Sequence, residues 1–252
     1  MSAPYLSIVI PAYNEAKRLG PTLDVSLKHL DARGIQAEVI VADDGSSDAT
    51  ASVVETVRAS DPRVRLVSFP VNRGKGAAVR AGSLAATGSL VLISDADLST
   101  PIEEHAKLAA VIRDRDLDVV IGSRALPGSN VQVPQAWLRQ TMGRTFNTII
   151  RTITGLPFRD TQCGFKLMDR DRVMPLFGKM VVNRFAFDVE LLFLCARFGL
   201  SVADVPVIWR NASGSKVSVL ADPLNMISDV FRVRWRFRRG LYNPEPGPSG
   251  VS

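Results

Sequence analysis

Short runs of aliphatic and β-branched residues recur through the first half of the chain, at residues 6–10, 38–42, 64–69, 90–94 and 118–122. Each is short for a buried helix and reads as a strand enclosed on both faces. Between them lie stretches with apolar positions at helical spacing, at residues 19–33, 47–59, 76–86 and 102–115. Alternation of this kind predicts an α/β fold, a mainly parallel sheet flanked by helices with ligands at the carboxyl edge of the strands. After Ser123 the rhythm changes. A polar loop, Pro127-Gly128-Ser129-Asn130, leads into a helical pattern over 135–154 and a turn at Gly155-Leu156-Pro157. A short strand at 165–168, a helix at 188–198 and a strand at 202–209 follow, and no internal repeat is visible.

The last patterned stretch, residues 223–241, sets Leu224, Ile227, Phe231 and Trp235 near one helical stripe beside Arg232, Arg234, Arg236, Arg238 and Arg239. That describes a basic C-terminal segment forming an in-plane interfacial helix on an anionic membrane surface. The alternation of Phe231, Val233, Trp235 and Phe237 also fits a strand or the interface of a homo-oligomer. From Asn243 onward the chain is rich in Pro, Gly and Ser and is expected to be disordered.

With 252 residues, 46% of them hydrophobic and 22% charged, the chain is long enough for one large α/β domain or two small ones, and one is preferred. No apolar run approaches the ~18 to 20 residues that span a bilayer, and no charged n-region precedes an apolar h-region at the start. A cytoplasmic protein, peripheral at the cytoplasmic face of a membrane, is the expectation. Cys163 and Cys195 lack metal-ligand spacing and fit structural thiols in a reduced compartment. The net charge of +6 implies an anionic partner, for which nucleic acid, nucleotide-sugar and acidic lipid all qualify. Nucleic acid is disfavoured, because no nucleic-acid fold motif accompanies the basic segment.

Candidate chemistry stands at the strand ends. Asp95-Ala96-Asp97 follows the run 90–94, and two carboxylates so close repel unless a cation lies between them. A hard divalent ion shared with a diphosphate answers that need. The plainer alternative is a helix cap, since Ser99-Thr100-Pro101 comes next. Pro11-Ala12-Tyr13-Asn14-Glu15 ends the first strand and Asp43-Asp44-Gly45-Ser46-Ser47-Asp48 the second, so all three motifs can share one crevice. A carboxylate there can accept from a base N–H or a ribose hydroxyl, and Tyr13 offers a ring face. For residues 43–48 the alternative is a turn with an N-cap at Ser46 or Ser47. Asn72-Arg73-Gly74-Lys75-Gly76 opens a helix but has Val79 where a dinucleotide fingerprint needs Gly or Ala, and it lacks the end of a P-loop. What remains is an N–H cradle with Lys75 near an anionic substrate, or a flexible helix start. His29 and His105 fall in amphipathic helices and read as solvent-facing.

These four motifs resemble the family 2 inverting glycosyltransferases of the GT-A fold. The blocks 95–101, 160–167, 184–192 and 214–216 are similar to the dolichyl-phosphate β-glucosyltransferase branch, and the likeness covers residues 5–240. Mannosyl relatives carry Gln two residues after the second Asp, where this chain has Ser99. The eukaryotic relatives begin with a membrane-spanning segment that is missing here, which leaves docking through the C-terminal segment. The resemblance implies one domain over 1–242, with a nucleotide-binding half (1–122), an acceptor-side half (123–220), the interfacial helix (221–242) and a tail (243–252). It implies transfer of glucose from UDP-glucose to polyprenyl or dolichyl monophosphate with Mg²⁺ or Mn²⁺.

By that resemblance Pro11, Ala12, Tyr13, Glu15, Ala42, Asp43 and Asp44 would hold the nucleoside, with Lys75 and Ala96 beside the diphosphate and Asp95 and Asp97 on the metal. A phosphate monoester, with a second pKa of about 6, is already largely dianionic and hardly needs a base. It needs cations, and Arg124, Arg139, Arg144, Arg210 and Lys216 are the candidates. Asp188 and Glu190, two apart on a helix, do not share a face. Asp188 is the one expected to contact the sugar or assist deprotonation, joining Asp97 and Arg124 in the catalytic set, while Glu190 supports the basic loop. The alternative for Asp188 is a charge complementing the helix dipole. Other readings are the same fold using mannose or a soluble or polysaccharide acceptor, and a non-catalytic nucleotide-binding adaptor.

Overall fold

The computed structural model describes residues 3–132, 137–210 and 221–243, without the side chains of 137–144 and 221–222. In chain order the elements are β1 (Leu6–Ala12), α1 (Ala16–Arg33), β2 (Ala37–Asp43), α2 (Thr50–Ser60), β3 (Val64–Ser68), α3 (Lys75–Leu84) and β4 (Leu90–Ile93). A 3-10 turn (Ile102–Glu104) leads into α4 (His105–Arg115), then β5 (Val119–Ser123), β6 (Asn130–Val131), α5 (Trp137–Thr154) and β7 (Lys166–Asp169). The remainder is α6 (Arg170–Phe177), α7 (Phe187–Arg197), β8 (Val202–Pro206), β9 (Ile208–Trp209) and α8 (Ala221–Arg238).

Every residue of β1 and β2 is buried, as strands covered by helices on both faces must be. The period-two alternation of a strand then divides the core. Leu6, Ile8 and Ile10 pack with Leu19 and Leu23 of α1 and Leu108 of α4. Val9, on the opposite face, packs with Val79 of α3, Phe187 and Leu191 of α7, and Val230 and Val233 of α8. Among the described residues seven strands form one sheet in the order β3-β2-β1-β4-β7-β5-β8, and β6 pairs with β9 separately. All neighbours in the large sheet run parallel except β7, which is antiparallel to both β4 and β5. The mainly parallel sheet expected from the pattern is therefore observed.

Several details differ from the pattern reading, among them that α1 starts at Ala16, that a 3-10 turn precedes α4 and that β6 was read as loop. The helix α6 was not anticipated, the stretch 202–209 divides into β8 and β9, and α2 starts at Thr50 rather than at 47. Asp48 accounts for the last, because its carboxylate accepts from the Thr50 N–H and hydroxyl and holds the preceding turn out of the helix. The tail from 244 and the basic loop 214–216 lie outside the described residues. Register sets up the site: Ile93 at the end of β4 pairs with Lys166 of β7, and Ile121 of β5 pairs with the same lysine. A fully buried lysine is thus level with the strand end from which the acidic triplet departs.

Candidate functional site

The ends of β1, β2 and β4 open on a cleft of about 600 Å³ whose walls include Pro11, Ala12, Tyr13, Glu15, Asp44, Lys75, Asp95, Ala96 and Asp97. Nine residues expected at one ligand are therefore brought together. The acidic triplet is held from below, where the Thr22 hydroxyl of α1 donates to the Ala96 carbonyl at 2.6 Å. It turns sharply: Leu98 has φ of 45°, and the Ser99 N–H donates to Asp97 Oδ1 at 2.9 Å. Asp95 Oδ1 accepts from Lys75 Nζ at 2.6 Å. Burial works against the Lys75 charge, but Asp95, Asp188 and Asp97 hold its pKa above the ordinary lysine value, so it stays cationic. Gly164, in the loop before β7, crosses so close to this carboxylate that a Cβ there would lie 2.1 Å from Asp95 Oδ2. The residues 160–167 carried the resemblance, yet the role of this glycine was not legible in them.

Asp44 and Asp43 differ from expectation. Asp44 is 3% exposed, and burial raises its pKa despite the amides it meets. Its carboxylate accepts from Asn72 Nδ2 and from the backbone N–H groups of Arg73 and Gly74, at 2.7 to 3.2 Å. The phosphate cradle suggested by Asn72-Arg73-Gly74-Lys75-Gly76 is corrected by this, because those two amides already serve Asp44. The glycines answer to packing: a Cβ on Gly74 would lie 2.4 Å from the Asn183 carbonyl, and one on Gly76 would lie 2.5 Å from that of Val182. Asp43 and Ala42 do not line the cleft. Asp43 is buried beneath it, accepting from Ser46 and Ser68, and Ala42 is core.

The segment 181–185, against which those glycines pack, is itself anchored. Glu190 is fully buried and accepts from the Val181 and Val182 amides and, at 2.6 Å, from the Tyr242 hydroxyl beyond α8. Its structural work is here. The loop 214–216 it was expected to support lies outside the described residues. Asp188 is 4% exposed and bonded to Lys166 Nζ at 2.5 Å. Burial raises its pKa against the pull of Lys166 and Lys75. It is not among the residues lining the cleft, and it acts on Lys75 and Asp95 of the cleft electrostatically.

Of the five expected phosphate cations, the two whose side chains are described both have partners. Arg124 forms a two-pronged pair with Asp160 at 2.7 and 2.8 Å, above the Trp209 ring, and that pair brings Asp160 down to about 2 against the opposing effect of burial. Arg210 donates to Gln132 at 2.8 Å, and its backbone N–H reaches the Ser99 carbonyl. Arg139 and Arg144 lie on α5 with side chains outside the described set, and Lys216 is outside it altogether. Sequence reasoning missed Arg184, a cation on the cleft wall held by Asp229 of α8. It also misread the histidines. His29 and His105 are buried, 9% and 4% exposed, with Nε2 and Nδ1 3.1 Å apart where α1 packs on α4.

The sheet carries a carboxylate pair and a lysine together beyond the end of β4, and comparison with known proteins identifies the family. Residues 7–177 match the family model Glycosyl transferase family 2, and the chain belongs to that family. It is 34% identical over 249 residues to dolichyl-phosphate beta-glucosyltransferase of Dictyostelium discoideum, covering 94% of this chain and 76% of the relative. A dolichyl-phosphate beta-glucosyltransferase of Trichomonas vaginalis is 38% identical over 251 residues, covering 96% and 74%. Among solved structures, glucosyl-3-phosphoglycerate synthase from Mycobacterium tuberculosis, in complex with Mn²⁺, UDP-glucose and phosphoglyceric acid, superposes with a TM-score of 0.67. Its sequence identity is 21%, and the match covers 91% of this chain and 79% of that one.

Proposed function

We propose that this protein transfers glucose from UDP-glucose to a polyprenyl or dolichyl monophosphate, with inversion at the anomeric carbon, on an anionic membrane surface at its cytoplasmic face. The observation that carries the proposal is the meeting of Tyr13, Glu15, Lys75, Asp95 and Asp97 on one cleft, in a chain whose relatives are dolichyl-phosphate beta-glucosyltransferases. Asp95 and Asp97 suit a hard divalent ion, since both offer carboxylate oxygens from a tight turn. Among the described residues no further His, Cys, Asp or Glu completes a cluster of three with them, and a hard ion held by these two would keep positions for oxygens of the diphosphate. When bound, Mg²⁺ or Mn²⁺ supplies Lewis-acid neutralisation of the departing nucleoside diphosphate.

The chain's own residues do the rest. Tyr13, 38% exposed, offers its ring to the base, and Pro11, Ala12 and Glu15 shape the nucleoside side of the cleft. Lys75 keeps a positive charge beside Asp95, where negative charge develops on the leaving group. The nucleophile is a phosphate oxygen that is already anionic, so no general base is required. Asp188 then acts as a positioning residue through Lys166 and Lys75, and Asp44 positions Lys75 by fixing the loop in front of it.

Membrane docking belongs to α8. Its inner face carries Met226, Val230 and Val233 into the core, while Leu224, Phe231 and Trp235 on the other face are 72%, 56% and 53% exposed. Arg232, Arg238 and Arg239 are exposed beside them, whereas Arg234 turns inward to the Ile153 carbonyl and Arg236 lies over the Tyr242 ring. Among the described residues no helix is long and apolar enough to cross a membrane. The deciding experiment is a matrix of nucleotide-sugars against short polyprenyl phosphates and 3-phosphoglycerate, with Mg²⁺ or Mn²⁺. Lipid-phosphate-dependent consumption of UDP-glucose that EDTA abolishes is the expected result; indifference to polyprenyl phosphate would overturn it.

A further inference from the structure

A cation, Arg184, stands where α8 meets the cleft. Arg184 lies in the segment packed over Gly74 and Gly76, and it lines the same cleft as Lys75, Asp95 and Asp97. Its guanidinium is gripped by Asp229 of α8, Nε to Oδ2 at 3.2 Å and Nη2 to Oδ1 at 3.0 Å. Asp229 is 3% exposed, while the Arg184 side chain is half exposed. An almost fully buried carboxylate is retained on a helix only where a cation compensates it, and here that cation reaches into the cleft.

We propose that Arg184 receives the phosphate of the lipid acceptor and that Asp229 is the positioning residue that aims it. The assignment rests on the reading of the chain as a lipid-phosphate glucosyltransferase. Geometry favours the acceptor over the donor. Lys75 and the strand-end motifs form the donor side, whereas Arg184 is tied to the helix whose outer face is exposed and apolar. At 100° per residue, Arg232 stands between the exposed stripe of Leu224, Phe231 and Trp235 and the inward-facing Asp229. Its Nη1 is 3.9 Å from Asp229 Oδ1. A phosphate whose lipid lies along that stripe meets Arg232 first and Arg184 next, and from Arg184 it enters the cleft that Lys75 and Asp95 also line. Arginine suits the task because a planar guanidinium can hold one carboxylate and still orient a phosphate monoester, and Asp229 removes rotamer freedom before the acceptor arrives.

The test compares wild type, Arg184→Gln, Arg184→Lys and Asp229→Asn in steady-state transfer from UDP-glucose to a short polyprenyl phosphate. Binding of UDP with Mn²⁺ is measured in parallel by calorimetry, and folding by thermal melting. Loss of a charge-assisted contact predicts that Arg184→Gln raises KM for the lipid phosphate by about tenfold or more, with UDP affinity within about twofold of wild type. Arg184→Lys recovers part of that loss, and Asp229→Asn raises the same KM by a smaller factor. A variant set that loses UDP affinity instead would assign Arg184 to the donor and overturn the inference. So would an unchanged lipid KM in Arg184→Gln with wild-type turnover intact. If the wild type itself shows no lipid-dependent turnover, the functional reading fails first and the inference with it, an outcome distinct from either of the others.

Discussion

Gly164 leaves no room for a side chain beside Asp95, and that makes a quantitative test of the acidic triplet. In Gly164→Ala the new Cβ would lie 2.1 Å from Asp95 Oδ2, 2.5 Å from Cγ and 2.7 Å from Oδ1, whereas ordinary van der Waals contact begins at 3.4 Å. The oxygen must therefore retreat by about 1.3 Å, the difference of those two distances, or the loop before β7 must move by as much. Retreat breaks the 2.6 Å contact with Lys75 and displaces one of the two carboxylates proposed to hold the metal. A misplacement of about 1 Å at a reacting centre costs on the order of 100-fold in rate, equivalent to about 2.7 kcal/mol of transition-state stabilisation. We expect kcat/KM for glucose transfer to fall by about that factor, with a raised metal requirement in an Mn²⁺ titration. Gly178→Ala, where the nearest atom is the Pro175 carbonyl oxygen at 3.7 Å, serves as the control and should leave transfer unchanged. Activity of Gly164→Ala within about threefold of wild type, in a protein that melts normally, would refute the argument that Asp95 must stand where it does.

Tyr242→Phe removes the 2.6 Å bond to Glu190 but leaves that carboxylate its Val181 and Val182 amides. The expected cost is about 1–2 kcal/mol in urea or thermal denaturation, and no loss of stability would remove Tyr242 as an anchor of the cleft wall. Burial, first, and the neighbouring His29 and Arg33 lower His105 to about 4, and burial lowers His29 against the pull of Glu103. Because the folded values lie below the unfolded value of about 6.5, the unfolded chain protonates first. Stability present above pH 6.5 is thus lost as pH falls toward 4, by on the order of 2–3 kcal/mol, and His105→Gln should flatten that slope in denaturation curves at pH 7.5 and 5. Replacing Arg232, Arg238 and Arg239 together by Ser should weaken binding to anionic vesicles by roughly 1 kcal/mol per residue, while Arg234→Ser should act on stability. Vesicle sedimentation separates the two, and undiminished binding of the triple variant would sink the docking role of α8.

The parallel strands were legible because full burial on both faces leaves short aliphatic runs with polar motifs at one end, and three of those motifs do meet at one cleft. The direction of β7 was not. Its four residues carry no local sign of orientation, which is decided by the long excursion from β5 that returns the chain between β4 and β5. Helix α6 was hidden by its length of eight residues and by Pro175 within it. His29 could have been found: Leu19, Leu23, Leu27 and Leu30 mark the packed face of α1, and His29 stands at its border. The ion pairs could not, because Arg124 finds Asp160 36 residues away and Arg184 finds Asp229 45 residues away, separations that no periodicity reports.

Those pairings decide what the acidic residues of the cleft are for. Counting carboxylates in the motifs would make Asp43, Asp44, Asp95, Asp97, Asp160, Asp188 and Glu190 equal candidates for metal, base or nucleoside. The structure divides them by partner. Asp44 spends its charge on the 72–74 loop, Glu190 on the 181–182 amides, Asp160 on Arg124 and Asp188 on Lys166, and all four are buried. Asp44 and Glu190 thereby fix segments that border the cleft, Asp160 and Asp188 hold buried ion pairs outside its lining, and in a low-dielectric setting each would be costly to strip of its partner. Asp95 and Asp97 differ: their walls face the cleft, Lys75 is a cation on a flexible stem, and Asp97 uses one oxygen on a turn amide. A divalent ion could compete for these two carboxylates by exchanging a lysine contact, whereas at the other four it would have to break the buried ion pairs and amide contacts they already make. On this argument Asp160→Asn or Asp44→Asn should lower stability and activity together, while Asp97→Asn should lower activity alone.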